Sequence, residues 1–342
     1  VLRRDDMLSS RQKLVLLAII EEYVRTTEPV GSKTLSLRDE LAFSSATLRN
    51  DMADLEEMGF LEKVHTSSGR IPSEAGYKIY VEEILRTRGE NPSSFPLIDE
   101  IFEREAIGKD EAIKESMMIV SELTNYASIV LGSSALDSRI RRLQFVALND
   151  RHAIILMVTD KGHVESKRII VPNSVNVNEI EKVVTVLNDI LYDCPIIEID
   201  SKIKKGITNE DVLEFVKYHE DIINAFILAF SEMATDKYFM AGQSRMFAQP
   251  EFRNMEKVKE LLDMIERKEI LKVLSIDDNE ISVRIGHENE IKAMQDCTVI
   301  TIPYYSATGE KGAIAVFGPK RMEYQKVIPL LEYIALNMKK IT

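Results

Sequence analysis

The first ninety residues are divided by turn and cap residues into a fixed series of short elements, and this series limits the fold more than any other feature of the chain. Leu8 to Thr27 carries Leu14, Leu17, Ala18 and Val24 at helical spacing, with Leu16, Ile20 and Tyr23 beside them. Pro29, Val30 and Gly31 stop that helix. Ser32 is placed to cap a short second helix, Lys33 to Leu37. Ser44 and Ser45 are candidate caps for a third, which runs to Met58 and ends before Gly59, the residue type that closes helices in a left-handed conformation. Phe60 to Val64 alternates apolar and charged residues as a strand does, His65 to Arg70 is polar, and Ile71 and Pro72 close a hairpin. Ser73 caps a fourth helix, with Tyr77, Tyr80, Val81, Ile84 and Leu85 along one face. Three helices and a hairpin, or wing, describe a winged helix-turn-helix, whose third helix is the one expected to enter the major groove of DNA.

The third helix suits that role. Leu48, Met52 and Leu55 lie at i, i+4 and i+7 and must face a core. Ala46, Asn50 and Ala53 then point away, with Arg49 on the flank. Small outward residues let a helix approach base edges, and Arg and Asn can each make two hydrogen bonds to guanine and adenine. The candidate DNA contacts here are Ser44, Ser45, Thr47, Arg49 and Asn50, with Lys33 from the second helix. The acids Asp51, Asp54, Glu56 and Glu57 fall towards the far half, where they can point away from phosphates. In the hairpin, Lys63, His65 and Arg70 bring basic groups without an acid, and Thr66, Ser67 and Ser68 bring hydroxyls for phosphate oxygens. Spacing alone also fits a capped surface helix, and Arg70 also fits a solvated loop. Tyr77 and Tyr80 read as core.

Bulk charge does not favour DNA. The net charge is −12, and residues 1–90 hold 13 Lys and Arg against 16 Asp and Glu. A nucleic-acid interface must therefore rest on where the basic residues sit. The length of 342 residues fits two or three domains, and 45% hydrophobic with 29% charged residues is a globular mixture. No run of 18 apolar residues is present, so no membrane span is expected. The opening VLRRDD is too polar for the apolar core of a secretion signal. Cys194 and Cys297 form neither a disulfide framework nor a zinc pattern, and a reducing cytoplasm is the simplest expectation.

Beyond the fourth helix, Thr87 to Pro96 (TRGENPSSFP) reads as a linker. Ile98 to Leu131 reads as a long, mostly helical segment. Arg141 to Asn149, His152 to Thr159 and Val164 to Val171 read as strands joined by tight turns, and Val177 to Tyr192 as a helix. Thr208-x-x-Asp211 opens a helix to about Met233 whose stripe includes Phe215, Ile222, Ile223, Phe226 and Ile227. That stripe fits a dimer contact and ordinary domain core equally well. Lys237 to Ala241 is a short strand, Met255 to Leu274 is helical, Ile281 to Ile285, Thr298 to Pro303 and Gly312 to Phe317 are strands, and Met322 to Lys340 is a closing helix. Strands flanking a helical middle indicate an α+β multidomain chain with an insertion.

The run SSATLRNDMADLEEMGFLEKVHTSSGRIPSEAGYKIYV (Ser44 to Val81) resembles the heat-inducible transcription repressor family, HrcA, of bacteria. The similarity extends through PVGSKTL (29–35), LTNYASIVLG (123–132), QPEF (249–252), IGHEN (285–289) and GAIAVFGPKRMEY (312–324), in that order. Val64 stands where the family often has Pro. The resemblance implies a winged helix-turn-helix at residues 1–90, a linker at 91–98, a GAF-like domain from 99–172 and 249–342, and an inserted dimerisation domain at 173–248. It implies a repressor of chaperone operons that binds an inverted repeat in double-stranded DNA as a homodimer, with the chaperonin keeping it active.

Two other functional classes compete with this one. An enzyme would need chemistry that the chain lacks: there is no HExxH, CxxC, GxSxG or P-loop run, and His65, His152, His163, His219 and His287 show no ligand spacing. No metal or cofactor is expected. A regulator that senses a small molecule through the GAF-like domain is the alternative, and no residue pattern names its ligand.

Overall fold

The computed structural model describes residues 8–64, 69–89, 94–104, 108–132, 138–149, 151–160, 162, 164–171, 177–199, 202–203, 238–266, 269–270, 280–305 and 311–338. The fold is a mixture of helices and sheets. Contacts group the chain into two compact units, one of Val1–Ser128, Met240–Ile302 and Ala315–Asn337, the other of Ile129–Phe239, Pro303–Ile314 and Met338–Thr342.

In the first unit the N-terminal elements follow their local signals. Helix α1 (Ser10–Thr26) opens with a reciprocal Ser9–Gln12 capping box and closes at Thr27 in the left-handed conformation. It buries Val15, Leu16, Ala18, Ile19 and Ile20. Helix α2 (Ser32–Leu35) differs from expectation. Its cap position is Gly31, and Ser32 is already helical, its hydroxyl 3.0 Å from that of Ser45. Helix α3 (Ser45–Glu57) is capped by Ser44 and ends before Gly59 at φ +81°. Strands β1 (Leu61–Lys63) and β2 (Arg70–Pro72) form an antiparallel hairpin, pairing Leu61 with Pro72 and Lys63 with Arg70. Val30 and Arg70 exchange two backbone hydrogen bonds of 2.9 Å, adding the segment before α2 to the hairpin edge. Helix α4 (Glu74–Thr87), capped by Ser73, buries Tyr77, Ile79, Tyr80 and Val81.

The segment expected to be mostly helical consists of two helices and a strand: α5 (Pro96–Phe102), α6 (Lys109–Thr124) and β3 (Ala127–Leu131). Asn125, at φ 58°, ends α6. All five residues of β3 are buried, and a strand covered on both faces lacks the alternation that distinguishes strand from helix in sequence. A five-stranded sheet has the order β7 (Tyr238–Ala241), β3, β10 (Lys311–Pro319), β9 (Cys297–Tyr305), β8 (Ser282–Ile285), with β8 and β9 antiparallel. Its inner strands β9 and β10 are buried along almost their whole length.

In the second unit, β4 (Ile140–Asn149), β5 (His152–Thr159) and β6 (Val164–Ile170) form an antiparallel sheet in that order. Strand β5 alternates buried and half-buried residues. Its covered face shares one core with α7 (Val177–Leu191): Leu143, Ile155 and Met157 pack with Ile180, Val183 and Leu187. The border expected at 172/173 thus falls between two elements of one core. The remaining described helices are α8 (Gln243–Phe247), α9 (Met255–Glu266) and α10 (Tyr324–Asn337). The helix expected over 211–233, with Phe215, Ile222, Ile223, Phe226 and Ile227, lies outside the described residues.

Candidate nucleic-acid interface

Helix α3 is oriented by its buried stripe. Leu48, Met52 and Leu55 are fully or almost fully buried, which turns Ala46, Asn50 and Ala53 outward. Ser44 accepts a hydrogen bond from the Thr47 backbone N–H at 3.1 Å, and its hydroxyl lies 2.9 Å from that of Thr47. Ser44 is exposed and Thr47 half-buried, while Ser45 turns its hydroxyl towards Ser32 of α2. Arg49 and Asn50 are exposed, and their side chains make no hydrogen bond or ion pair among the described residues. The same holds for the side chains of Lys33 and Lys63.

Three of the four acids of α3 have partners to its side. Asp51 is buried and accepts two hydrogen bonds from the Arg11 guanidinium of α1, at 2.8 and 3.0 Å. A buried carboxylate needs such a partner, because an unpaired charge away from water is costly. Arg11 also lies over the Phe43 ring, 5.8 Å from its centroid. Gln12 of α1 donates to Asp54 at 3.3 Å. Glu56 accepts from Arg70 of β2 at 2.6 Å. Asp54 and Glu57 remain exposed, one and two turns beyond Asn50, so the acids of α3 lie beside or C-terminal to Ala46, Arg49 and Asn50.

Arg70, expected to reach a phosphate, is thus three-quarters or more covered and joins the hairpin to the end of α3. The neighbouring Gly69 lies against Pro29, so a side chain there would overlap that residue. His65, Thr66, Ser67 and Ser68 lie outside the described residues. Sequence reasoning missed Arg11 and Gln12, which sit about forty positions before their partners. One signal for the first pair was present. Asp51 is three residues after Leu48 and four before Leu55, so it shares their buried face and requires a cation.

Among the described residues no cluster of His, Cys, Asp and Glu is placed to hold a metal ion, and no helix is long and apolar enough to cross a membrane.

A family model described as HrcA protein C terminal domain matches residues 110–328. The chain is also 44% identical over 335 residues to the heat-inducible transcription repressor HrcA of Acholeplasma laidlawii (strain PG-8A), a match that covers 98% of both chains. The chain belongs to the HrcA family of heat-inducible transcription repressors. The HrcA repressor of Halalkalibacterium halodurans is 37% identical over 337 residues, again with 98% of each chain covered. The HrcA family model begins after α4, whereas both whole-chain relatives extend over α1 to α4 as well. A hypothetical protein solved at 2.2 Å shares the fold, with a TM-score of 0.62 and 23% identity over 98% of this chain and all of that one.

Proposed function

We propose that α1 to α4 are a winged helix-turn-helix that binds double-stranded DNA, with α3 in the major groove and the β1–β2 hairpin as the wing. The observation that carries this reading is the charge sorting on α3. Among the described residues the exposed Arg49 and Asn50 side chains have no partner, while Asp51 and Glu56 are engaged by Arg11 and Arg70. A helix whose N-terminal half bares hydrogen-bonding groups, and whose acids fall beside or beyond them, can approach a polyanion although the chain as a whole is acidic.

In this reading Arg49 and Asn50 read base edges, Ser44 and Thr47 approach the backbone, and Lys33 and Lys63 neutralise phosphates. His65, Thr66, Ser67 and Ser68 add further contacts to phosphates. The repressor acts in the cytoplasm on chaperone operons, as a homodimer whose two-fold axis matches an inverted-repeat operator. The body is GAF-like, with the dimerisation region inserted at 173–248 and Phe215, Ile222, Ile223, Phe226 and Ile227 at the contact. The chaperonin maintains the active form, and heat draws it away to unfolded clients.

Titration of the purified chain against a fluorescent inverted repeat and a scrambled duplex, over several salt concentrations and with chaperonin present, tests the reading. The repeat should bind about a thousandfold more tightly at physiological salt. Equal binding of the two duplexes would refute sequence-specific recognition.

A further inference from the structure

The motifs QPEF, IGHEN and GPKR lie far from α3 in sequence, yet within the first compact unit their side chains converge on the two helices that flank it. Glu74, the first residue of α4, accepts hydrogen bonds from the His287 backbone N–H at 3.2 Å and from Lys320 Nζ at 3.0 Å, and lies 3.0 Å from His287 Nδ1. Gly286 lets the turn approach: its φ is +58°, and a Cβ there would overlap the Glu74 carboxylate. Buried Asn289 holds that turn by donating to the carbonyls of Gly286, Met294 and Cys297 at 3.0 to 3.2 Å.

Arg321 grips the other helix. Its guanidinium donates to Glu251 at 2.5 Å, to Gln249 at 3.3 Å and to the Val24 carbonyl of α1 at 3.1 Å. Val24 lies in the last turn of α1, where carbonyls lack helical partners and the helix dipole favours a cation. Between the two grips, fully buried Tyr324 packs on Tyr77 and Tyr80 of α4, with ring centroids 6.0 and 6.2 Å away. Helix α1 is therefore held at its C-terminal end by Arg321 and holds α3 near its N-terminal end through Arg11 and Asp51.

We propose that Glu74 and Arg321 are positioning residues for operator recognition. They clamp α4 and α1, fix the direction in which α3 projects, and so set the half-site spacing that a dimer accepts. The proposal rests on the DNA-binding, homodimeric reading above. Neither residue touches DNA in it, so the clamp governs the arrangement of two heads and leaves the affinity of one head for one half-site unchanged.

The test compares the full-length wild type with the double variant Glu74→Gln/Arg321→Met on three duplexes. These are the inverted repeat, the same repeat with two base pairs inserted at its centre, and a single half-site. The insertion turns one half-site by roughly 70° relative to the other. The wild type should lose at least about tenfold in affinity on insertion, and the double variant no more than about threefold, with half-site affinity within about twofold of wild type. A variant that keeps the full wild-type loss overturns the clamp. If its melting curve shows an unfolded chain, Arg321→Lys decides instead. It keeps the charge beside Glu251 and gives up the forked reach to Val24, so the spacing preference should relax at least about threefold, and an unrelaxed preference overturns the proposal. A wild type that binds the half-site but ignores spacing overturns the clamp alone. A wild type that binds none of the duplexes overturns the DNA-binding reading, and the clamp with it.

Discussion

Gly76 lies in the first turn of α4 against the backbone carbonyl of Phe60, and even a methyl group at this position would overlap that oxygen. Alanine is the better helix former by about 1 kcal/mol, but the obstructing atom is backbone and cannot rotate away. Gly76→Ala should therefore destabilise the first unit by about 1–3 kcal/mol, the usual range for overpacking, as read from denaturant melts. An unchanged midpoint would show that the hairpin can yield. Arg70 and Lys63 face each other across the hairpin but stand in different surroundings. Lys63→Ala should leave the melt unchanged and lower the dependence of log affinity on log salt by about 0.9, the loss of one phosphate contact. Arg70→Ala should instead lower the melting midpoint, because it breaks the junction with Glu56, and weaken binding to all duplexes alike. A change in base preference on Lys63→Ala would contradict its phosphate role, and an unchanged melt on Arg70→Ala would contradict a structural one.

Elements follow the same logic at larger range. Strand β4 is at the edge of its sheet, and Asn188 of α7 satisfies it from the side. The Asn188 amide donates to the Leu143 carbonyl at 3.0 Å and accepts from the Leu143 N–H at 2.7 Å. Asn188→Ala strands both backbone groups and should cost about 1–3 kcal/mol in a denaturant melt, more than substitution of the exposed Glu181 two turns earlier. Elements with local signals were legible in the sequence. The caps Ser44 and Ser73, the stop at Gly59 and the alternation of β5 each follow from a few adjacent residues. Strand β3 was not legible, because burial on both faces leaves a continuous apolar run that a helix shares. Ser32 was misplaced by one position because Gly31 takes the extended cap conformation and frees the serine for Ser45. At the interface, the outward face of α3 followed from periodicity. Its pairing with Arg11 and the junction of Arg70 with Glu56 depend on tertiary approach, and only the position of Asp51 on the buried face hinted at the first.

For the whole molecule, the consequence is that α1 and α4 are bound to segments more than two hundred residues away within one unit. Acid should loosen that join. Burial raises the pKa of the Glu74 carboxyl, but hydrogen bonds from Lys320 and His287 outweigh it and hold the group below the ordinary value near 4.5. Among the described residues Lys320, His287 and, 3.8 Å beyond Lys320, Asp296 are the charged or titratable groups that face it. A carboxyl whose pKa is lowered on folding adds stability above its unfolded value, and that stability is lost as pH falls through the folded value. The wild-type melting temperature should therefore drop more steeply below about pH 4.5 than that of Glu74→Gln. Parallel curves would show that the hydrogen bonds, without the charge, hold the join. The central claim, that α3 reads base sequence, is tested most directly by Arg49→Ala on a set of operators with each half-site base pair changed in turn. The variant should lose about 1–3 kcal/mol on the native operator and lose discrimination at one base pair while keeping it at the others. An equal loss of affinity on every duplex, with discrimination intact throughout, would contradict the claim and place Arg49 on the phosphate backbone.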